Sequence, residues 1–464
     1  MQQLRDYQID LVDRVKTRLD RGEKVMVQSV TGSGKSVMFG AISANYPRVL
    51  LLVHRIELVH QAAKHIQLWC DREVGIIAAG EIYNPNATIQ VASIQTICRR
   101  NYQSQYDLCI VDEAHHIVAQ AYYSVISRLN PSCRLVGFTA TPWRLDGSGF
   151  ANIFDAIEIG ESVKKLIKAG YLSKFVLYAD PGNNGIEDKQ LFSLEKVGNF
   201  GGEYSLADLA RDNNARDVAA QLYSAWGRYA QDKQTVIFAL NIEHSQTIAA
   251  YFTWAGVTAA HLDANSPTDE RVEMMRKFVA GEIKVLSNVG LFDEGVDIPA
   301  LECIVMARPT KSLTRFLQMS GRVLRPHPEK EHGIIIDMTG NWLEHGLPDF
   351  DRLWNLEGNP PTPRAKVKRN EKDIVEVVIE PELFKPSAKP KVMEQISTDG
   401  VWEERLAGLF EKQKAKNYKS GWVIFRLKEL NPPLVVWQQA ALQLGYKLGW
   451  GYFKWRECQS QTVD

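Results

Sequence analysis

Val25-Met-Val-Gln28, running straight into Ser29-Val-Thr-Gly-Ser-Gly-Lys-Ser36, decides the fold. The first four residues read as a short buried strand, and the eight that follow read as a glycine-rich turn opening a helix at Val37. Gly32 and Gly34 permit the tight turn that aims backbone N–H groups at phosphate oxygens, and the helix N-terminus adds a favourable dipole. Thr31, Gly32, Ser33, Gly34, Lys35 and Ser36 are therefore nucleotide-binding candidates. Lys35 would pair with the β- and γ-phosphates, and Ser36 would help to hold Mg²⁺. A full phosphate-loop pattern has glycine where this chain has Ser29, so the match is partial.

Working outward, aliphatic runs recur at Val49–Val53, Ile89–Ala92, Leu108–Val111 and Leu135–Phe138, separated by helical spacing such as Ile56–Trp69. That alternation predicts βαβ units and a mainly parallel sheet, an α/β fold. A second series, Val236–Ala239, Val257–His261, Ile283–Ser287, Cys303–Ala307 and Gly333–Asp337, predicts a second such layer in tandem. The boundary falls within 178–230, and residues 1–178 and 179–357 are taken as the two domains. Over 358–397 six prolines, from Pro360 to Pro390, stand among lysines and arginines, as in an extended linker. The remaining residues, 398–464, hold five of the eleven tryptophans (Trp402, Trp422, Trp437, Trp450 and Trp455). They form a small basic and aromatic module.

Composition narrows the classes. With 464 residues the chain suffices for about three domains, each with its own core. Lys+Arg and Asp+Glu both total 55, so affinity for a polyanion must come from local patches. Six scattered cysteines form no CxxC pair and no zinc spacing, as expected in a reducing compartment. Neither a leader segment nor 18 consecutive apolar residues is present, so a cytoplasmic protein without membrane partners is expected.

Leu108-Cys-Ile-Val111 delivers Asp112-Glu-Ala-His115 at the carboxyl end of a strand, where open α/β sheets place ligands. One carboxylate can hold Mg²⁺ while its neighbour orients or deprotonates a water for in-line attack on the γ-phosphate. Asp112 is assigned to the metal and Glu113 to the water.

With Thr31–Ser36, Asp112–His115, Thr139-Ala-Thr141 and Gln318-Met-Ser-Gly-Arg-Val-Leu-Arg325 in this order, the chain resembles superfamily 2 helicases over roughly residues 1–340. Within that group it is similar to RadD-like bacterial and phage proteins, through Leu4–Gln8, Val53–Leu58, Phe138–Pro142 and Phe292–Pro299. The resemblance implies two RecA-like domains with ATP and Mg²⁺ between them. Lys35, Ser36, Asp112 and Glu113 would act from the first domain, and Gln318, Arg322 and Arg325 from the second. An arginine finger is worth about 10³–10⁵ in rate. Arg5 and Gln8 would read adenine, Gly295 and Asp297 would serve the ribose, and His115, Thr139 and Thr141 would couple γ-phosphate state to domain geometry.

The same resemblance implies nucleic-acid contacts at Arg55, Gln95 and Thr96 in the first domain and at Phe238, Arg308, Thr310 and Lys311 in the second. In the C-terminal module, Lys419, Trp422 and Arg426 interleave cations with stacking surface, a combination that binds single strands. The tryptophans there also fit a small core, since Trp402, Leu406, Leu409 and Phe410 have helical spacing. The function implied is an ATP-dependent DNA helicase or translocase, acting on single-stranded, forked or branched DNA in repair, recombination or replication at the nucleoid. An RNA helicase and an ATP-gated scaffold protein with little turnover are the alternatives.

Overall fold

A computed structural model describes residues 3–179 apart from 55, 101, 103 and 104, then 215–292, 298–358, 394–396 and most of 400–458. Two seven-stranded sheets dominate it. The first is built from β1 (Val25–Gln28), β2 (Val49–Val53), β3 (Val74–Ile77), β4 (Ile89–Ser93), β5 (Leu108–Val111), β6 (Arg134–Thr139) and β7 (Ala156–Ile159). Its order is β3-β4-β2-β5-β6-β1-β7, with every pairing parallel. Strands β1, β2, β4 and β5 are buried at every residue, as expected of aliphatic runs covered by helices on both faces. This order sets β6 between β1 and β5. The glycine-rich turn, Thr139 and Asp112 therefore emerge side by side at one edge.

The second sheet comprises β8 (Phe175–Ala179), β9 (Thr235–Phe238), β10 (Ala259–Leu262), β11 (Val285–Asn288), β12 (Cys303–Met306), β13 (Gly333–Asp337) and β14 (Glu394–Ile396), in the order β10-β11-β9-β12-β13-β8-β14. All its pairings are parallel except the antiparallel edge strand β14 on β8. The tandem α/β architecture expected from sequence is thus present.

Two boundaries are corrected. Phe175–Ala179 pairs with β13, so the first lobe ends before residue 175 rather than at 178. Residues 394–396, expected inside the linker, are a strand of the second sheet. The rest of that linker, 359–393 and 397, and the glycine-rich stretches 182–185 and 198–202 lie outside the described residues.

The C-terminal helices Gly400–Ala415, Ser420–Leu430 and Leu434–Gln443 share a core of Leu406, Val423, Leu427, Val436, Trp437 and Ala440. Leu434 and Val435 also join the core of the second lobe, and Gln438 Nε2 donates to the Leu343 carbonyl at 3.2 Å. The module is seated on that lobe.

The chain crosses between the lobes twice within the described residues. Residues 160–174 lead from β7 to β8. Later the segment after the second sheet returns: Phe350 lies in the second-lobe core, whereas Leu356 is buried in the core of the first. Trp354 packs on Trp143 with ring centroids 4.5 Å apart, and the Leu356 carbonyl accepts from the amides of Phe150 (2.6 Å) and Ala151 (3.0 Å). An antiparallel bridge between Ser148 and Gly358 closes this strap.

Candidate functional site

The turn after β1 winds through Gly34, whose φ of 83° lies in the left-handed region, and caps the helix Lys35–Ser43 without a side-chain hydrogen bond. The amides of Gly32, Gly34, Lys35 and Ser36 donate to no described protein acceptor. Together they form a cradle of unsatisfied N–H groups at a helix N-terminus, which fits a phosphate chain.

Lys35 Nζ meets Glu113 Oε1 at 3.0 Å, with side-chain exposures of 13% and 15%. Burial alone would lower the Lys35 pKa, but Glu113 and Asp112 outweigh it and hold the ammonium above its ordinary value. Glu113 itself stands at φ 48°, a left-handed backbone rare for a non-glycine residue and typical of strained functional positions. The Asp112 carboxylate accepts from the Glu113 amide at 2.9 Å. Asp112 and Ser36, with substrate oxygens and waters, make a hard-oxygen set suited to Mg²⁺.

From this pair a polar chain runs to the other lobe. Glu113 Oε2 lies 3.3 Å from His115 Nδ1, which is 3.2 Å from Thr139 Oγ1. Thr139 Oγ1 accepts from the Thr141 amide at 3.1 Å, and Thr141 Oγ1 meets Thr314 Oγ1 of the second lobe at 2.6 Å. Thr314 precedes Gln318 by one helical turn on the helix Leu313–Gly321. That spacing marks Thr314, which the sequence reading missed. Gln318 is buried with its amide nitrogen unpartnered, lining a cavity shared with His54, His115 and Trp143.

The arginines face the phosphate cradle. Arg322 is close enough that its charge opposes the upward shift of Lys35, and its Nε donates to the Phe292 carbonyl at 3.1 Å. A Cβ on Gly321 would come within 2.6 Å of Thr31, and one on Gly32 would meet the Arg325 side chain at 3.8 Å. The two lobes therefore touch across the cleft.

Gln8 is 3% exposed, with its carbonyl accepting from the Arg5 amide (3.0 Å) and its nitrogen donating to the Ser33 carbonyl (2.9 Å). It braces the turn from behind. Arg5 covers the Tyr171 ring at 4.5 Å, and Tyr7 lies 5.3 Å from Tyr171. These tyrosines offer a stacking surface beside the cradle. Nothing local to Tyr171 signalled it, because it sits in the inter-lobe connection.

Among the nucleic-acid candidates, exposed Gln95 and half-buried Thr96 stand past the end of β4, with Gln95 held by the His54 carbonyl and by Ser93 Oγ. Arg308 and Lys311 are half-buried on the second lobe. Two positions are corrected. Phe238 is 2% exposed within the second-lobe core. Thr310 is also 2% exposed, its amide bonded to Asn341 and its carbonyl to His345. Neither presents a surface to a polynucleotide. Arg55, Gly295 and Asp297 lie outside the described residues. His116, which sequence gave no role, stacks on His54 at 4.0 Å beside His115.

Residues 1–144 match the family model described as the res subunit of type III restriction enzymes, and 216–327 match the helicase conserved C-terminal domain. A 51.5 kDa protein of a Lactococcus phage is 33% identical over 335 residues, 71% of this chain and 68% of its own length. The chain belongs to the superfamily 2 helicases. This helicase is also 31% identical over 362 residues to the putative ATP-dependent helicase IRC3 of Saccharomyces cerevisiae, covering 73% of the present chain and 51% of the yeast protein. It thus spans about half the length of that relative. The DNA 3'-5' translocase XPB2 of Sulfurisphaera tokodaii is 27% identical, with 74% of this chain and 83% of the relative covered. Among solved structures, a fragment of a putative HsdR subunit of a type I restriction enzyme from Vibrio vulnificus has the same fold, with a TM-score of 0.55 at 21% identity. That match covers 74% of the helicase chain and 66% of the fragment. Among the described residues no helix is long and apolar enough to cross a membrane.

Proposed function

We propose that this helicase hydrolyses ATP between its lobes and uses their closure and reopening to move along or remodel DNA, with single-stranded, forked and branched forms as the substrates. One observation carries the reading: the chain of polar contacts from Lys35 through Glu113, His115, Thr139 and Thr141 to Thr314 joins the phosphate cradle to the opposite lobe. A change at the γ-phosphate position alters the partners of Lys35 and Glu113, and the link passes that change to lobe contact.

In this reading the free amides of the glycine-rich turn and Lys35 hold the phosphates. Glu113 orients the attacking water and accepts its proton. Arg322 and Arg325 neutralise charge building on the transferring group, and only while the lobes are closed. Mg²⁺, held by Ser36 and Asp112, supplies charge neutralisation at the phosphate oxygens when bound. Gln95, Thr96, Arg308 and Lys311 grip the backbone without reading sequence. The helicase and DNA-translocase names of the relatives support the reading, and the RadD-like motifs favour repair, recombination or replication as its setting.

Phosphate release measured across single-stranded, duplex, forked and four-way DNA and matched RNA tests it. Stimulation by DNA, greatest with forked or branched forms, is expected. Turnover indifferent to every polynucleotide, or responsive to RNA alone, overturns it.

A further inference from the structure

The five C-terminal tryptophans all serve one small core. Trp437 is fully buried, and half-buried Trp402, Trp422, Trp450 and Trp455 pack against it. The face of the helix Ser420–Leu430 is different. Val423 and Leu427 point inward, whereas Phe425 is 57% exposed and Tyr418, just ahead of the helix, is 40% exposed. Half-buried Trp422 lies between these surfaces, with Tyr418 at 4.9 Å and the Arg426 guanidinium at 5.7 Å from its ring centroid. Arg426 also lies 6.0 Å from the Phe425 centroid and is ion-paired to Glu429 at 2.6 Å.

Lys412, Lys414, Lys416 and Lys419, all exposed, come shortly before or among these rings in the chain, and none engages a described carboxylate. Three aromatic side chains and four exposed lysines within residues 412–425 suit a flexible polyanion that carries its own aromatic rings. A protein partner would need an acidic and apolar surface matched in shape, whereas a single strand adapts its backbone to such a row.

We propose that this face is a second binding site for single-stranded DNA, with bases stacking on Tyr418, Trp422 and Phe425 and phosphates meeting the lysines. The inference rests on the DNA-motor reading and adds to it where the strand goes. Because Leu434, Val435 and Gln438 fix the module to the second lobe, the site moves with that lobe. Each closure would draw the held strand relative to the contacts on the first lobe.

Binding of a fluorescein-labelled oligothymidylate to the full chain, followed by anisotropy at several salt concentrations, tests this. Two surface variants are compared with wild type: Tyr418→Ala with Phe425→Ala, and Lys412, Lys414, Lys416 and Lys419 all changed to Gln. Circular dichroism establishes that each is folded. Losing two stacking partners is expected to weaken binding by about tenfold to a hundredfold. Losing four phosphate contacts is expected to reduce the steepness of the log–log salt dependence by about 2–3. Folded variants with wild-type affinity and wild-type salt dependence overturn the proposal, and the face is then a protein-docking surface. If wild-type protein binds no oligothymidylate and DNA leaves its ATP turnover unchanged, the motor reading fails and this inference with it. Wild-type binding with unaffected variants removes only the second site.

Discussion

Two of the places where the lobes meet differ in character. On the nucleotide side the contact is mixed: Thr141 meets Thr314 and Arg322 faces Lys35, while Tyr7 and Val30 join an apolar cluster with Leu172 and Leu324. At the strap it is apolar, with Trp354 on Trp143 and Leu356 sunk into the first-lobe core. Polar contacts exchange readily for water or for a ligand, since a neutral hydrogen bond contributes only about 0.5–1.5 kcal/mol net. Burying a leucine side chain contributes about 1.5–3 kcal/mol and has no substitute in water. The polar pairs are suited to breaking on every cycle and the strap to persisting. With Phe350 and Leu356 both anchored, the strap between them spans at most roughly 20 Å, which bounds how far the lobes can part.

Changes on the nucleotide side should therefore act on rate, and changes at the strap on coherence. Lys35→Ala should leave no measurable phosphate release, and chelating Mg²⁺ with EDTA should do the same to wild type. Arg322→Ala should lower DNA-stimulated kcat by about 10³–10⁵. For Glu113→Gln a fall of about 10²–10⁴ is expected, with ATP still bound in equilibrium dialysis, because general-base assistance is lost while the phosphate cradle stays intact. Thr314→Val removes one neutral hydrogen bond from the inter-lobe link, so DNA-stimulated hydrolysis should fall about twofold to tenfold. A double-mutant cycle with Thr141→Val should show that the two losses do not add. Smallest is Trp354→Ala. Loss of one ring pair, worth about 1 kcal/mol, should lower the melting temperature by roughly 2–4 °C while DNA-free hydrolysis continues at the wild-type rate. If Trp354→Ala instead stopped hydrolysis, the strap would belong to the catalytic contact and the contrast between the two interfaces would disappear.

The glycine-rich turn and the acid pair at a strand end were legible because their signal is local. Each carries its meaning within eight residues, and β1, β2 and β5 match the aliphatic runs residue for residue. Pairing partners are a long-range property. Phe175-Val-Leu-Tyr-Ala179 has the composition of a strand, yet nothing nearby in sequence says that it joins β13 rather than the first sheet. The strap was illegible for the same reason, since Leu356 finds its core some two hundred residues upstream. Phe238 and Thr310 failed as contacts because their placement depended on which way a side chain turns at a strand end or loop. The structure uses one as core and the other to tie down Asn341 and His345. The C-terminal rings divided as they did because helical spacing signals a buried stripe but is silent on how much of each ring the neighbouring helices cover.

The central claim is that nucleotide state sets the geometry between the lobes. Distance distributions between one dye on each lobe test it most directly, with Ile82→Cys (94% exposed) and Trp254→Cys (74% exposed) as attachment sites after Cys98→Ser and Cys133→Ser. With DNA present, a non-hydrolysable ATP analogue should hold a narrow, closed distribution that broadens to longer distances with ADP, while Lys35→Ala responds to neither. A wild-type distribution that is the same with the analogue, with ADP and without nucleotide would contradict the account.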